Sequence, residues 1–369
     1  MKTKPMTKFA ILALSLVLVA CAGGGSEEAG CPAIDGREIN VVATTPMIGE
    51  FVSQVGGENI NLTVLMPPEA NPHTYEPAPQ DAGTIAEADL VFYTGLLYEP
   101  AALVKLLENS ACSTDILSEV GESVFPIEFK EGGHDDHDDH DDHDDHDDHD
   151  DEEGHDDEEG HDDHDDHDDH DDEEGHDDHD DEEGHDDHEG HNHGAYDPHF
   201  WFDPSRVAYA AEYIESRLIQ FDPENESSYK SSADSFVSEL NDLTKQVSEL
   251  ISTVPSQNRK LITTHESLGY LEAKFGLEVL STIIPSLNSA NEISPSDLAG
   301  VIDVIEDNNV KVIFIESEAP SVYSETIVAE TGIKPVTGLY VETLKPGQSY
   351  SEFLISNVKL ITENLQDTD

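Results

Sequence analysis

From Ile39 onward, apolar positions alternate between short β-branched runs and longer stretches with three- and four-residue spacing. The short runs predict strands at Ile39–Thr45, Ile60–Met66, Leu90–Tyr93 and Val124–Phe129. Between them, the spacing predicts helices to about Val55, from Pro79 to Ala88 and from Pro100 to Asn109. A second series follows residue 255. Strands are predicted at Leu261–Thr264, Glu278–Ile284, Val310–Ile315 and Pro335–Val341. Helices are predicted at Ser267–Phe275, after Ser294-Pro295-Ser296-Asp297, at Val322–Thr331 and at Tyr350–Leu365.

Two helices separate the series. Pro204 to Phe221 carries helical spacing. Asp222-Pro223-Glu224 then opens a run to about Thr253 with no Gly or Pro inside it. Phe236, Leu240, Leu243, Val247, Leu250 and Ile251 make one apolar stripe along roughly 45 Å of helix. Strand–helix alternation implies parallel sheets covered on both faces. The expected fold class is therefore α/β: two parallel-sheet lobes joined by one long rigid helix, with ligand in the cleft between them. The divisions are 38–222 for the N-terminal lobe, 223–255 for the linking helix and 256–369 for the C-terminal lobe.

The first residues are targeting rather than fold. Lys2, Lys4 and Lys8 precede the apolar run Phe9–Ala20, which is too short to remain as a membrane span. The run ends Leu18-Val19-Ala20-Cys21, similar to a lipobox, and Ala22-Gly23-Gly24-Gly25-Ser26 begins a flexible tether over 21–37. The reading is a signal peptide over 1–20 and a lipid on the Cys21 sulfur, so the mature protein is exported and anchored to the outer face of the cytoplasmic membrane. A plain secretory signal is the alternative. Export permits a disulfide between the remaining cysteines, Cys31 and Cys112; two unpaired thiols are the alternative.

Charge narrows the partners. A net −66, from 83 acidic and 17 basic residues, excludes nucleic acid and favours cations. Residues 134–193 hold 37 of those acids and no Lys or Arg. They also hold His134, His137, His140, His143, His146, His149, His155, His161, His164, His167, His170, His176, His179, His185, His188, His191 and His193. With nothing apolar, this insert cannot fold on a core. Imidazoles every third residue among carboxylates make many overlapping weak metal sites. It reads as an antenna, a store or a sensor of metal, against the bland alternative of a solvating spacer.

Only three histidines lie outside the insert: His73, His199 and His265. His73 sits in the Pro-rich Asn71-Pro72-His73-Thr74-Tyr75-Glu76-Pro77, which forbids helix. His199 sits in Asp197-Pro198-His199-Phe200-Trp201-Phe202-Asp203-Pro204 beside the only Trp. His265 sits in Thr264-His265-Glu266-Ser267-Leu268-Gly269-Tyr270, where a predicted strand turns into a helix. Any one alone is a weak signal. Three isolated imidazoles in three rigid turns suit a metal with nitrogen ligands.

These segments, N-P-H-x-Y-E, D-P-H-x-W-x-D-P and T-H-x-x-x-G-Y, resemble the signatures of the metal-binding receptors of ABC importers. That family is called the cluster A-I or cluster 9 solute-binding proteins. The resemblance spans about residues 38–366, and the insert is similar to the loop of the zinc-type members. It implies a monomeric, extracytoplasmic receptor that passes its ion to an ABC permease and catalyses no reaction. It also implies His73, His199 and His265 as ligands, and a carboxylate fourth, for which Glu342 in Gly338-Leu339-Tyr340-Val341-Glu342 is the candidate. Glu316, Glu318 and water are its rivals. Asn71 stands where the family often has an acid.

Three imidazoles and one carboxylate leave Zn²⁺ with a net charge near +1, modest enough to bury. Mn²⁺ prefers more oxygen. Manganese members of the family often have a carboxylate where this chain has His265, so zinc is the expected ion and manganese the alternative. A surface adhesin or metal buffer is a further reading. A zinc hydrolase is disfavoured, since His265-Glu266 begins an H-E-x-x-H motif but position 269 is Gly.

Overall fold

In the computed structural model, residues 31, 34, 36–129, 196–318 and 322–366 are described. The signal segment, Cys21 and all seventeen insert histidines lie outside them. The first series folds into β1 (Ile39–Ala43), β2 (Ile60–Val64), β3 (Leu90–Tyr93) and β4 (Leu117–Glu119), with helices α1 (Pro46–Gly56), α2 (Pro79–Ala86) and α3 (Ala101–Ser110). The strands pair in parallel in the order β2-β1-β3-β4.

Alternate side chains explain why this sheet is covered twice. Val41, Ala43, Leu90 and Phe92 point into one core with α1. Val42 and Val91 point into another with Ile85, Leu103 and Leu107 of α2 and α3. Period-two alternation with apolar residues on both faces is the mark of a buried parallel sheet. Cys31 and Cys112 are joined by a disulfide, their Cα atoms 5.1 Å apart. The bond ties the segment ahead of β1 to the turn after α3.

The second series gives β5 (Lys260–His265), β6 (Glu278–Ile284), β7 (Val312–Glu316) and β8 (Lys334–Leu339). Pairs β5-β6 and β7-β8 are parallel. Helices α6 (Gly269–Phe275), α7 (Pro295–Asp307), α8 (Val322–Thr331) and α9 (Tyr350–Gln366) accompany them. Ser294 and Asp297 cap α7 reciprocally, as the Ser-Pro-Ser-Asp sequence predicts. Here too the strands face two ways. Ile262, Ile313 and Ile315 pack with Val301, Ile305 and Ile327, while Leu261, Val312 and Phe314 join the larger core.

That larger core is continuous through α4 (Pro204–Phe221) and α5 (Glu226–Ser252). The α5 stripe Phe236, Leu240, Leu243, Val247 and Ile251 is buried, and the helix packs on α1, α4 and α9. Phe51 of α1 touches both Phe236 and Tyr350 of α9, at ring distances of 6.3 and 5.3 Å.

One strand expectation fails. Val124–Phe129 is no strand: Gly121–Val124 is a 3₁₀ turn, Phe125 has φ +52°, and only an isolated bridge joins Glu128 to Tyr196. Pro126 has no N–H to give a ladder. The fourth strand of the sheet is instead Leu117–Glu119, too short to stand out in the sequence.

Candidate metal centre

The site collects at the carboxyl ends of the strands, where open parallel sheets hold ligands. β2 leads into the loop bearing His73, β3 into Tyr98, β5 ends on His265, β7 ends on Glu316, and β8 leads to Glu342. Pro72–Thr74 forms a 3₁₀ turn whose start is fixed by Asn71, its Oδ1 accepting the His73 N–H at 2.9 Å. His199 precedes the 3₁₀ turn Phe200–Phe202. There Trp201 donates Nε1–H to the Val341 carbonyl at 2.8 Å and so fixes the chain beside Glu342.

His73, His199, His265 and Glu342 each offer one donor atom, and the four atoms lie within 4.8 Å of one another. Glu342 Oε1 is 3.0 Å from His73 Nε2 and 2.9 Å from His265 Nε2. Glu342 Oε2 is 3.5 Å from His199 Nε2. Side chains of His199, His265 and Glu342 are fully buried, and that of His73 is 3% exposed.

Carboxylates set the tautomers. Asp197 Oδ1 accepts both the N–H and the Nδ1–H of His199, at 2.8 and 2.7 Å. Glu316 accepts the N–H and Nδ1–H of His265 with its two oxygens. An ionised carboxylate can only accept, so each Nδ1 carries hydrogen and each Nε2 faces the cluster. Neither Nε2 makes a hydrogen bond, although both are buried. They lie instead 3.5 Å (His199) and 2.9 Å (His265) from the Glu342 oxygens, at the point where the four donor atoms gather. Two orphaned buried nitrogens cost free energy unless something fills that point. A cation with nitrogen affinity fits it.

The electrostatics agree. Burial pushes Glu342 up, but the three histidines outweigh it and hold its carboxyl well below the usual range. Burial pushes His199 down, yet Glu342 and Asp197 lift it to about 9. His265 is raised in the same way by Glu316 and Glu342 against the pull of burial.

The two rival carboxylates take other places. Glu316 holds His265 from behind. Glu318 accepts the backbone N–H groups of Val341 and Glu342 with Oε1, at 3.2 and 3.4 Å, steadying the loop that carries Glu342. Asn71 donates Nδ2–H to Ser289 Oγ and to the Glu318 carbonyl, at 3.0 and 3.3 Å. Two residues escaped the sequence reading. Asp197 was visible in its motif but had no assigned role; Tyr98, which donates to Glu342, carried no signal because nothing in its surroundings marks a buried phenol.

Two α/β lobes that bring three imidazoles and a carboxylate to one point define a metal-binding receptor. The chain belongs to the family described as ZnuA, zinc-uptake complex component A, periplasmic, whose model matches residues 41–364. It is thus the extracytoplasmic, substrate-binding component of a metal ABC transporter, which implies a permease partner, and it is not an enzyme. Among similar curated proteins is the manganese ABC transporter substrate-binding lipoprotein PsaA of Streptococcus anginosus, 24% identical over 98% of this chain and 99% of its own. Another is the high-affinity zinc uptake system protein ZnuA of Bacillus subtilis, 26% identical over 97% and 96%. Of solved structures, the periplasmic zinc-binding protein TroA of Treponema pallidum superposes with a TM-score of 0.67 at 19% identity, over 89% of this chain and 99% of that one. The fold is theirs. Among the described residues, no helix is long and apolar enough to cross a membrane.

Proposed function

We propose that this chain captures Zn²⁺ outside the cytoplasm and delivers it to an ABC permease, with His73, His199, His265 and Glu342 as the four ligands. The observation that carries this reading is the pair of buried, unpartnered Nε2 atoms facing Glu342 and His73. A shell of three nitrogens and one oxygen matches tetrahedral zinc better than manganese, which is drawn to oxygen-rich, six-coordinate sites. Relatives carry manganese and zinc in their names alike, so the donor set is the discriminating argument. The protein acts as a monomer, anchored through lipid on Cys21. Lobes 38–222 and 256–369 move slightly about the helix of 223–255 to admit and release the ion. The insert of residues 134–193 raises the local zinc concentration as an antenna.

Calorimetric titration of the protein lacking residues 134–193 tests the reading. Zinc binds tightly and with preference over manganese, and His199→Ala or His265→Ala removes most of that affinity. Undiminished tight binding by both variants would overturn the ligand assignment. A preference for manganese would overturn the choice of ion.

A further inference from the structure

The two oxygens of Glu342 have different neighbours. Oε1 faces Nε2 of both His73 and His265, at 3.0 and 2.9 Å. Oε2 is 2.9 Å from the hydroxyl of Tyr98, nearer than the 3.5 Å to Nε2 of His199. Among the described residues, the other acceptor for that hydroxyl is the Glu342 carbonyl, at 3.1 Å. A phenol has one hydrogen, and both acceptors belong to the same residue.

Tyr98 has little freedom to leave. It is 1% exposed, and its ring meets His73, Trp201 and His199 edge-on at centroid distances of 5.0, 5.3 and 5.9 Å. Trp201 is itself held by Val341 and by Tyr350, whose hydroxyl donates to the Trp201 carbonyl at 2.6 Å. The donor is therefore fixed by packing before any ion arrives.

A carboxylate can give an ion one oxygen or two. One oxygen with three imidazoles makes four donors, the number tetrahedral zinc takes. A second oxygen makes five and moves toward the oxygen-rich shell that manganese favours. A hydrogen bond on Oε2 occupies a lone pair of an ionised acceptor and so opposes that second contact.

We propose that Tyr98 is a specificity-determining residue: by donating to Glu342 Oε2 it limits the carboxylate to one-oxygen coordination, holds the site at four donors and sets zinc above manganese. Tyr98 acts through Glu342 and touches no ion. The proposal rests on the four-ligand reading given above.

Co²⁺ at sub-stoichiometric amounts in the full-length protein reports the coordination number, since four-coordinate cobalt absorbs visible light far more strongly than five- or six-coordinate cobalt. The wild type shows the intense four-coordinate bands, and Tyr98→Phe, which keeps the ring, weakens them several-fold. In parallel competition titrations the zinc-to-manganese affinity ratio falls about tenfold, within the range for residues that orient metal ligands. Unchanged bands and an unchanged ratio in Tyr98→Phe would overturn the proposal. So would equal losses for both metals with unchanged bands, which a packing role alone would give. Weak bands in the wild type would overturn it without any variant. His265→Ala separates the two readings. If it keeps the wild-type bands, the ligand assignment itself falls. If it loses them while Tyr98→Phe matches the wild type, only the role of Tyr98 falls.

Discussion

Oδ2 of Asp197 stands 2.7 Å from the point a Cβ on Gly269 would occupy, while Oδ1 of the same carboxylate holds His199. The first residue of α6 is thus bare because the partner of a metal-facing imidazole lies against it. Gly269→Ala should push Asp197 aside and weaken metal binding about tenfold, the low end for loss of such a partner. Gly300→Ala is the control. It lies within α7 with open space around its Cβ, so it should keep full affinity and gain about 0.5–1 kcal/mol of stability. Equal affinity in the two variants, read by zinc titration, would remove Gly269 from the account.

Zinc binding should release protons. Against burial, the charges of Glu342 and Asp197 raise His199 to about 9. Below that pH the metal-free ring is therefore an imidazolium. Its Nδ1 proton goes to Asp197, so the proton displaced is the one on Nε2. Affinity should rise with pH up to about 9, by about tenfold per unit for each proton displaced. Calorimetry in two buffers of different protonation enthalpy near pH 7 counts the protons, and a heat independent of buffer would contradict the assignment.

Glu318 should make the metal-free protein less stable as pH rises. Burial, with the charges of Glu342 and Glu316 adding, pushes its carboxyl up to about 8 from an ordinary 4.5. The folded chain keeps a proton that the unfolded chain has lost. The stabilisation is complete below about 4.5 and disappears as pH climbs through about 8. Glu318→Gln retains an oxygen for the N–H groups of Val341 and Glu342 and never ionises. It should melt a few degrees above the parent at the alkaline end of this window and match it at the acidic end. Parallel melting curves across the window would refute the prediction.

The disulfide closes a loop of 81 residues. Loops of that length lose about 4 kcal/mol of unfolded-state entropy on closure. Cys31→Ser with Cys112→Ser should lower denaturant stability by about 2–4 kcal/mol and leave zinc affinity unchanged, since no cysteine is among the four clustered residues. A fall in affinity at temperatures where the variant is still folded would show that the bond also shapes the site.

The sequence made some of this legible and hid the rest for physical reasons. His73, His199 and His265 stand out because the body holds no other histidine and each falls in a rigid turn. Glu342 had no such mark, as one acid among many, and only the family resemblance singled it out. Glu316 was legible as a rival ligand but not as the partner of His265, because that role requires β5 and β7 to lie side by side, a contact between residues 51 apart. Tyr98 lies 244 positions from the carboxylate it holds, a distance across which spacing and periodicity carry no information. The long helix was plain from its stripe, whereas β4, three residues long, is below what alternation can reveal.

The bridge between Glu128 and Tyr196 has a consequence for how this protein can change. Asp197 donates its N–H to the Ile127 carbonyl at 3.0 Å beside that bridge, so residues 127–128 and 196–197 are paired with each other. Lengthening a loop whose ends are already joined costs little, about 0.6 kcal/mol per doubling. Repeats of His-Asp-Asp could be gained or lost there over generations while every core residue kept its neighbours. Because the paired residues include Asp197, which accepts from His199, a change in repeat number would leave that contact in place.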